Sequence, residues 1–332
     1  MTDSPLDYPA KKPWKTVETV ALGDLKHDLF RATLKVSADA RQDPTEFVRQ
    51  ARSAAKALPS EMHEMADEFV DRGDGGLRYT GALLGEVPPT PESAINDITH
   101  RTPMAKQLTV ALSLLCHPVG FRAECDGALV QSVMPLKADR NERTATGSWK
   151  ELPPRSQQVF NRYRPNLIGW GVMRGDPYAV SYFLSARTLM EHLPGRYLGR
   201  LFDTEYLARV DTSFIRGGAV PDDRGPIAVL SGRPDDPVFR YDGELMFSES
   251  LSHQRALDAV QEVYMEHRTG VVLKPGDILI VDNSRVICGR SSFPAQYDRG
   301  DRYVACVQGH FNPTAARGVR RGRLPIIESW GC

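Results

Sequence analysis

The stretch that decides the fold runs from Gly276 to Tyr303. It reads Gly276-Asp277-Ile278-Leu279-Ile280-Val281-Asp282-Asn283-Ser284-Arg285-Val286-Ile287-Cys288-Gly289-Arg290, then Ser291-Ser292-Phe293-Pro294-Ala295-Gln296-Tyr297-Asp298-Arg299-Gly300-Asp301-Arg302-Tyr303. Ile278–Val281 is a short apolar, β-branched run. With Val271–Leu273 before the Lys274-Pro275-Gly276-Asp277 turn, it predicts two β segments joined tightly. Tyr303–Val307 predicts a further strand. Upstream, Ala128–Met134, Leu167–Met173, Tyr178–Phe183, Ile227–Leu230 and Val238–Tyr241 have the same texture, separated by Gly, Pro and Asp turns. One helix interrupts them, His253–Glu266, with Leu257, Val260, Val263 and Tyr264 on one side.

The first hundred residues read as mostly helical. Asp43-Pro44-Thr45-Glu46 is a helix start, an aspartate cap with proline at the first helical position. Ser60–Val70 predicts a second helix, ended by Gly73-Asp74-Gly75-Gly76. Leu77–Thr80 is strand-like, and Thr90-Pro91 and Thr102-Pro103 repeat the cap-then-proline signal, the second opening a helix over Met104–Leu115. Many short strands with a few helices and no βαβ alternation predict an α+β chain, a jelly roll with flanking helices. No Gly/Ser-rich hinge divides it. The expectation is one domain over 1–332: a mainly helical part at 1–75, a jelly-roll core at 76–312 and a basic tail at 313–332.

The chain has 332 residues, with 42 basic against 42 acidic residues, 41% hydrophobic and 25% charged. That balance excludes a disordered chain and argues against a dedicated nucleic-acid binder. The five cysteines, Cys116, Cys125, Cys288, Cys306 and Cys332, form no CxxC pair, so neither a disulfide framework nor a zinc ribbon is expected. The N-terminal MTDSPLDYPAKKPW has no apolar run for a signal peptide, and no apolar run reaches membrane-spanning length. The expected setting is cytoplasmic, without membrane or nucleic-acid partners and with a homo-oligomer left open. Arg317, Arg320, Arg321 and Arg323 crowd the tail. They read as a solvated terminus, or as an arm touching an anionic ligand or partner.

The block from Gly276 to Tyr303 resembles the clavaminate synthase-like branch of the iron(II)/2-oxoglutarate-dependent oxygenases, which includes amino-acid hydroxylases, the arginine hydroxylases among them. The family shows an Asn-x-Arg-x-x-His-Gly-Arg run, then Phe, Tyr-Asp and Asp-Arg-Trp. Gly120-Phe121-Arg122, Asp126-Gly127-Ala128-Leu129-Val130-Gln131 and Arg164-Pro165-Asn166 extend the likeness upstream. The resemblance implies a distorted double-stranded β-helix and a facial triad of two histidines and one carboxylate around iron.

The chain departs from that pattern at the triad. None of its eight histidines (His27, His63, His100, His117, His192, His253, His267 and His310) is followed two residues on by Asp or Glu. By alignment, Arg155-Ser156-Gln157 stands where His-Thr-Glu is expected, and Cys288 where the distal histidine is expected. Arginine stays protonated and cannot ligate. Other landmarks persist: Arg302 at the 2-oxoglutarate-anchoring position, Gln131 at a substrate-contacting one, and Asp242 and Glu244 where the family's acidic pair holds basic side chains.

These departures lead to an expectation: a small amino-acid-like substrate, with a basic side chain as one option, bound by Gln131, Asp242, Glu244 and Arg302. Iron-independent, non-oxidative chemistry (proton transfer, elimination, cyclisation or isomerisation) would be carried by Cys288, Arg155 and Gln157. No metal ligand is assigned. Iron(II) and 2-oxoglutarate belong to an alternative, a hydroxylase with unusual ligands such as Cys288 and a displaced histidine or carboxylate. A third option is a non-catalytic protein holding a metabolite or pathway partner. Plainer readings stand beside these: Cys288 as a small buried filler, Arg155 in a pocket-blocking salt bridge, Asp242 and Glu244 on an outer face.

Overall fold

The computed structural model describes residues 15–93, 97–312 and 314–328; the N-terminal residues 1–14 lie outside them. In chain order come β1 (Val17–Ala21), α1 (Leu25–Thr33), α2 (Pro44–Ala55), α3 (Ser60–Arg72), β2 (Gly76–Thr80) and α4 (Pro103–Leu112). They are followed by β3 (His117–Phe121), β4 (Val130–Val133), β5 (Leu152–Arg155), β6 (Leu167–Arg174), β7 (Val180–Ser185), α5 (Ala186–His192) and α6 (Gly195–Leu201). Next are β8 (Tyr206–Arg209), α7 (Thr212–Arg216), β9 (Asp223–Ile227), β10 (Leu230–Arg233), β11 (Asp236–Phe239), β12 (Met246–Phe247) and α8 (Leu251–His267). Finally come β13 (Thr269–Val272), β14 (Ile278–Asp282), β15 (Val286–Arg290), β16 (Tyr303–His310) and β17 (Ile326–Ile327).

Helix starts follow their local chemistry. The Asp43 carboxylate accepts from the Glu46 N–H at 2.9 Å, and the Thr102 hydroxyl accepts from the Ala105 N–H at 3.2 Å. Each cap satisfies an N–H that the first turn leaves without an intrahelical partner. Thr90-Pro91 carries the same signal but starts no helix over 91–93. Its hydroxyl donates instead to the Asp301 carbonyl at 2.7 Å, tying this segment to the loop before Arg302.

Two sheets face each other as in a jelly roll. The larger runs β1-β2-β14-β6-β16-β3-β17, with β4 also paired to β16; the smaller runs β13-β7-β15-β5. The Lys274–Asp277 turn is therefore no hairpin. β13 pairs with β7, β14 pairs with β2 and β6, and the turn carries the chain from one sheet to the other. The mainly helical N-terminal part also contributes β1, parallel to β2 at the edge of the larger sheet. Helices α1 to α4 pack on its outer face, where Gly169 and Gly171 let α4 come close: a Cβ at Gly169 would meet Leu108 Cδ1 at 2.7 Å. Alternation along β6 turns Ile168, Trp170 and Val172 the other way, toward the smaller sheet. A dry cluster including Val172, Phe183, Leu279, Val281, Val286 and Val304 joins the sheets, and beside it the space between them opens into a pocket. No helix among the described residues is long and apolar enough to cross a membrane.

Candidate functional site

The pocket has a volume of about 120 Å³, many times the space one water needs. The larger sheet lines it with Gln131, Trp170, Cys306 and Gln308; the smaller contributes Arg155, Phe183, Cys288 and Arg290; Arg302 closes the set. Cys306 and Gln308 point the same way because they lie two residues apart on β16.

The sequence-derived residues Arg155, Gln157, Cys288, Gln131 and Arg302 all line this pocket. Arg155 and Cys288 are register partners on β5 and β15. The Arg155 guanidinium turns toward Asp211, with Nη1 to Oδ2 at 3.5 Å. Asn283 clamps Gln157: its Oδ1 accepts from the Gln157 N–H at 2.7 Å, and its Nδ2 donates to the Gln157 carbonyl at 3.0 Å. Cys288 is partly exposed on the pocket wall, yet burial pushes its thiol well up, and Arg155 offsets this only in part. At neutral pH it is a thiol, not a thiolate.

Asp242 and Glu244 are placed apart, and neither lines the main pocket. Asp242 is buried, and its Oδ1 accepts from the backbone N–H groups of Glu244 and Leu245, both at 2.8 Å. It lies in a small cavity with Asp211 behind Arg155. Burial raises its carboxyl to about 6, against the pull of Arg155 and the two N–H groups. Glu244 is exposed and pairs with Arg143 at 3.7 Å.

Two features of the pocket escaped the sequence reading. The first is Glu124, a carboxylate 8% exposed. Its oxygens accept from Gln157 Nε2 at 3.3 Å, Gln158 Nε2 at 3.0 Å and Gln308 Nε2 at 2.9 Å, and Gln131 also bonds it. Gln158 reaches the carboxylate from a left-handed backbone, φ +57°, a conformation few non-glycine residues adopt. Its Oε1 is held by Asn161 Nδ2 at 2.7 Å. Every hydrogen-bond donor on Glu124 is a neutral amide, and burial raises its pKa. The second is the division of labour among the arginines. Arg290 is spent on structure: Nη1 and Nη2 donate to the carbonyls of Ala145 and Gly147 at 3.1 and 2.5 Å. Arg302, 7% exposed, has no hydrogen-bond or ion-pair partner among the described residues, and burial lowers its guanidinium to about 10. An unpartnered buried cation on a pocket wall is a site for an anion. Alternation forward from Cys306 along β16 was the available signal for Gln308; nothing local marks Glu124.

A facial-triad metal needs two imidazoles and a carboxylate converging on one point. The positions expected from the sequence to match it, Arg155, Gln157 and Cys288, hold a guanidinium, an amide and a protonated thiol. Among the described residues no three His, Cys, Asp or Glu side chains are placed to hold a metal ion. The donor set does not fit iron, and no step is derived through it.

No protein-family model matches the chain. By sequence it is 32% identical to the L-lysine 3-hydroxylase of Catenulispora acidiphila over 283 residues, 83% of this chain and 79% of that protein. It is 29% identical to clavaminate synthase 2 of Streptomyces clavuligerus over 274 residues, 80% and 83% of the two chains. A crystal structure of asparagine oxygenase with Fe(II), 3-hydroxyasparagine and succinate superposes with a TM-score of 0.87 at 22% identity, covering 95% of this chain and 100% of that one. The oxygenase OrfP with Fe, succinate and (3S)-hydroxy-L-Arg gives 0.83 at 23% identity, covering 92% and 98%. These findings overturn the expectation of iron-independent, non-oxidative chemistry. L-lysine 3-hydroxylase is named for the hydroxylation of an amino acid, and the superposed structures hold iron with succinate in the same fold.

Proposed function

Because the chain belongs to the clavaminate synthase-like family of iron(II)/2-oxoglutarate-dependent amino-acid oxygenases, we propose that its pocket recognises a free L-amino acid together with a 2-oxoglutarate-type dicarboxylate. That is the substrate pairing of oxidative amino-acid hydroxylation. The single observation that carries this is the pairing of unmatched charges across one pocket: among the described residues Arg302 has no carboxylate within ion-pair distance, Asp176 acting on it only from further away, and Glu124 has only neutral amide donors. A guanidinium takes a carboxylate through two parallel hydrogen bonds, and a buried carboxylate takes an ammonium. The α-ammonium of the amino acid meets Glu124, aided by Gln131; the dicarboxylate meets Arg302.

Charge also sets the substrate class. The lining carries Arg155, Arg290 and Arg302 against the lone Glu124. Asp211 and Asp242 are covered by Arg155. A neutral or acidic amino acid is therefore favoured over a basic one. Calorimetric titration of the chain with single L-amino acids, with and without 2-oxoglutarate, tests this. Asparagine- or glutamate-like ligands should bind, and lysine and arginine should not. Preferential binding of lysine or arginine, or no binding of 2-oxoglutarate, would sink the reading.

A second reading is a hydroxylase with non-standard donors. It is favoured by the relatives, which are named as amino-acid hydroxylases and oxygenases, and not by the donor set of the pocket. Its signature is succinate release from 2-oxoglutarate with iron and ascorbate, lost in Cys288→Ala. Silence across a broad amino-acid panel rejects it.

A further inference from the structure

A second concavity, sharing no lining residue with the pocket, lies where α2, β3 and the C-terminal tail meet. Its volume is about 390 Å³. Arg49 and Arg52 enter it from α2, and Arg317, Arg320 and Arg323 from the tail, over a floor of His117, Pro118 and Val119. None of the lining residues is an aspartate or glutamate. In a chain with 42 basic and 42 acidic residues, five arginines and no aspartate or glutamate among the described lining residues of one groove is segregation, not composition.

The groups are also held in place. Arg49 is forked onto Glu46, Nε and Nη2 at 2.6 and 2.5 Å, which fixes its position on the rim while neutralising it. Arg320 donates from Nε to the Leu324 carbonyl at 2.9 Å and from Nη2 to the Arg323 carbonyl at 3.2 Å, folding the tail into a loop. Among the described residues Arg52, Arg317 and Arg323 have no carboxylate within ion-pair distance. Their field is felt: burial first, then Arg52 and Arg320, hold the His117 ring below its ordinary value. The register partner of His117 on β16 is another histidine, His310, not a carboxylate. Like charges gathered in this way repel until an anion enters.

We propose that this groove is an anion site for a diphosphate group, gripped by Arg52, Arg317 and Arg323. Guanidinium forks match phosphate oxygens in pairs, and two adjacent phosphates use three arginines better than a single anion does. The Thr45 side chain, which also lines the groove, is a further hydroxyl donor. β3 carries the groove floor and ends at Phe121, and the chain after it leads to Glu124 of the main pocket. The diphosphate could be free or part of a larger small molecule.

The test is calorimetry on the full chain with inorganic pyrophosphate, ADP and sulfate at fixed ionic strength, with NMR of the His117 ring. Pyrophosphate should bind at least tenfold tighter than sulfate, and the His117 midpoint should rise when it is bound. An Arg52→Gln/Arg317→Gln double variant should lose at least tenfold in pyrophosphate affinity while 2-oxoglutarate binding stays unchanged. ADP as tight as or tighter than pyrophosphate assigns the group to a nucleotide-like molecule; weaker ADP assigns it to free diphosphate. Equal weak binding of sulfate and pyrophosphate, or a double variant that binds as the parent does, overturns the proposal. So does binding of a short DNA duplex in preference to pyrophosphate.

Discussion

Replacing Arg302 with methionine should make the protein more stable and less able to bind its dicarboxylate. Arg302 is 7% exposed and has no hydrogen-bond or ion-pair partner among the described residues. A guanidinium that burial brings from its ordinary value down to about 10 has lost roughly 3–4 kcal/mol of solvation at ~1.4 kcal/mol per pH unit. Methionine is unbranched, fills much of the same volume and removes that cost without leaving a hydrogen-bond partner behind. Allowing for imperfect packing, Arg302→Met should raise the unfolding free energy by about 1–3 kcal/mol. Most buried substitutions do the opposite. Two charge-assisted hydrogen bonds at ~1.5–3 kcal/mol each are lost from the complex, so 2-oxoglutarate should bind about 100-fold more weakly, or worse. Urea unfolding of the ligand-free protein and calorimetry with 2-oxoglutarate read the two effects separately. A variant destabilised by more than about 1 kcal/mol, with unchanged 2-oxoglutarate affinity, would show that Arg302 serves the fold and that the reasoning is wrong.

Glu124→Gln should weaken amino-acid binding about tenfold or more while sparing 2-oxoglutarate, as competition calorimetry will show; equal loss of both ligands would mean the cage had collapsed. Asp242 gives a pH signature. Its folded carboxyl sits near 6, above its unfolded value of about 3.9. The native state therefore holds the extra proton between those values, and stability falls as pH rises through this window, by about 3 kcal/mol in all. Asp242→Asn keeps an oxygen for the Glu244 and Leu245 N–H groups and should flatten that slope in urea melts from pH 4 to 7. Gly169→Ala should cost about 1–3 kcal/mol in the same assay, because the new methyl meets Leu108 Cδ1 at 2.7 Å; a neutral result would show that α4 is loosely seated.

Much of the fold was legible because its signals are local. Asp43-Pro44 and Thr102-Pro103 start helices through side-chain oxygens that need only the next turn. Ile278–Val281 and Tyr303–Val307 became strands within β14 and β16 as their β-branched texture predicts. Val271–Leu273 and Ile278–Val281 were legible as strands but not as members of different sheets, since sheet membership depends on distant partners at β7 and β6. Asp242 and Glu244 looked like a pair because they resemble the acidic pair of the arginine hydroxylases. A backbone turn capped by Asp242 itself sends one inward and the other to solvent.

The sequence alone determined the family's frame and its conspicuous departure. The quoted block carries Asn283, Cys288, Gly289, Arg290 and Arg302 in order, and no histidine has a carboxylate two residues on. Those are properties of neighbours along the chain. Only the tertiary structure decided which charges are answered. Glu124 is caged by glutamines from β4, from the loop after β5 and from β16; Arg155 turns to Asp211; Arg302 has no ion-pair partner among the described residues. The tail arginines, ambiguous as a run, meet α2 across a groove without carboxylates. Charge compensation depends on distance and burial between residues far apart in sequence, and a linear pattern encodes neither.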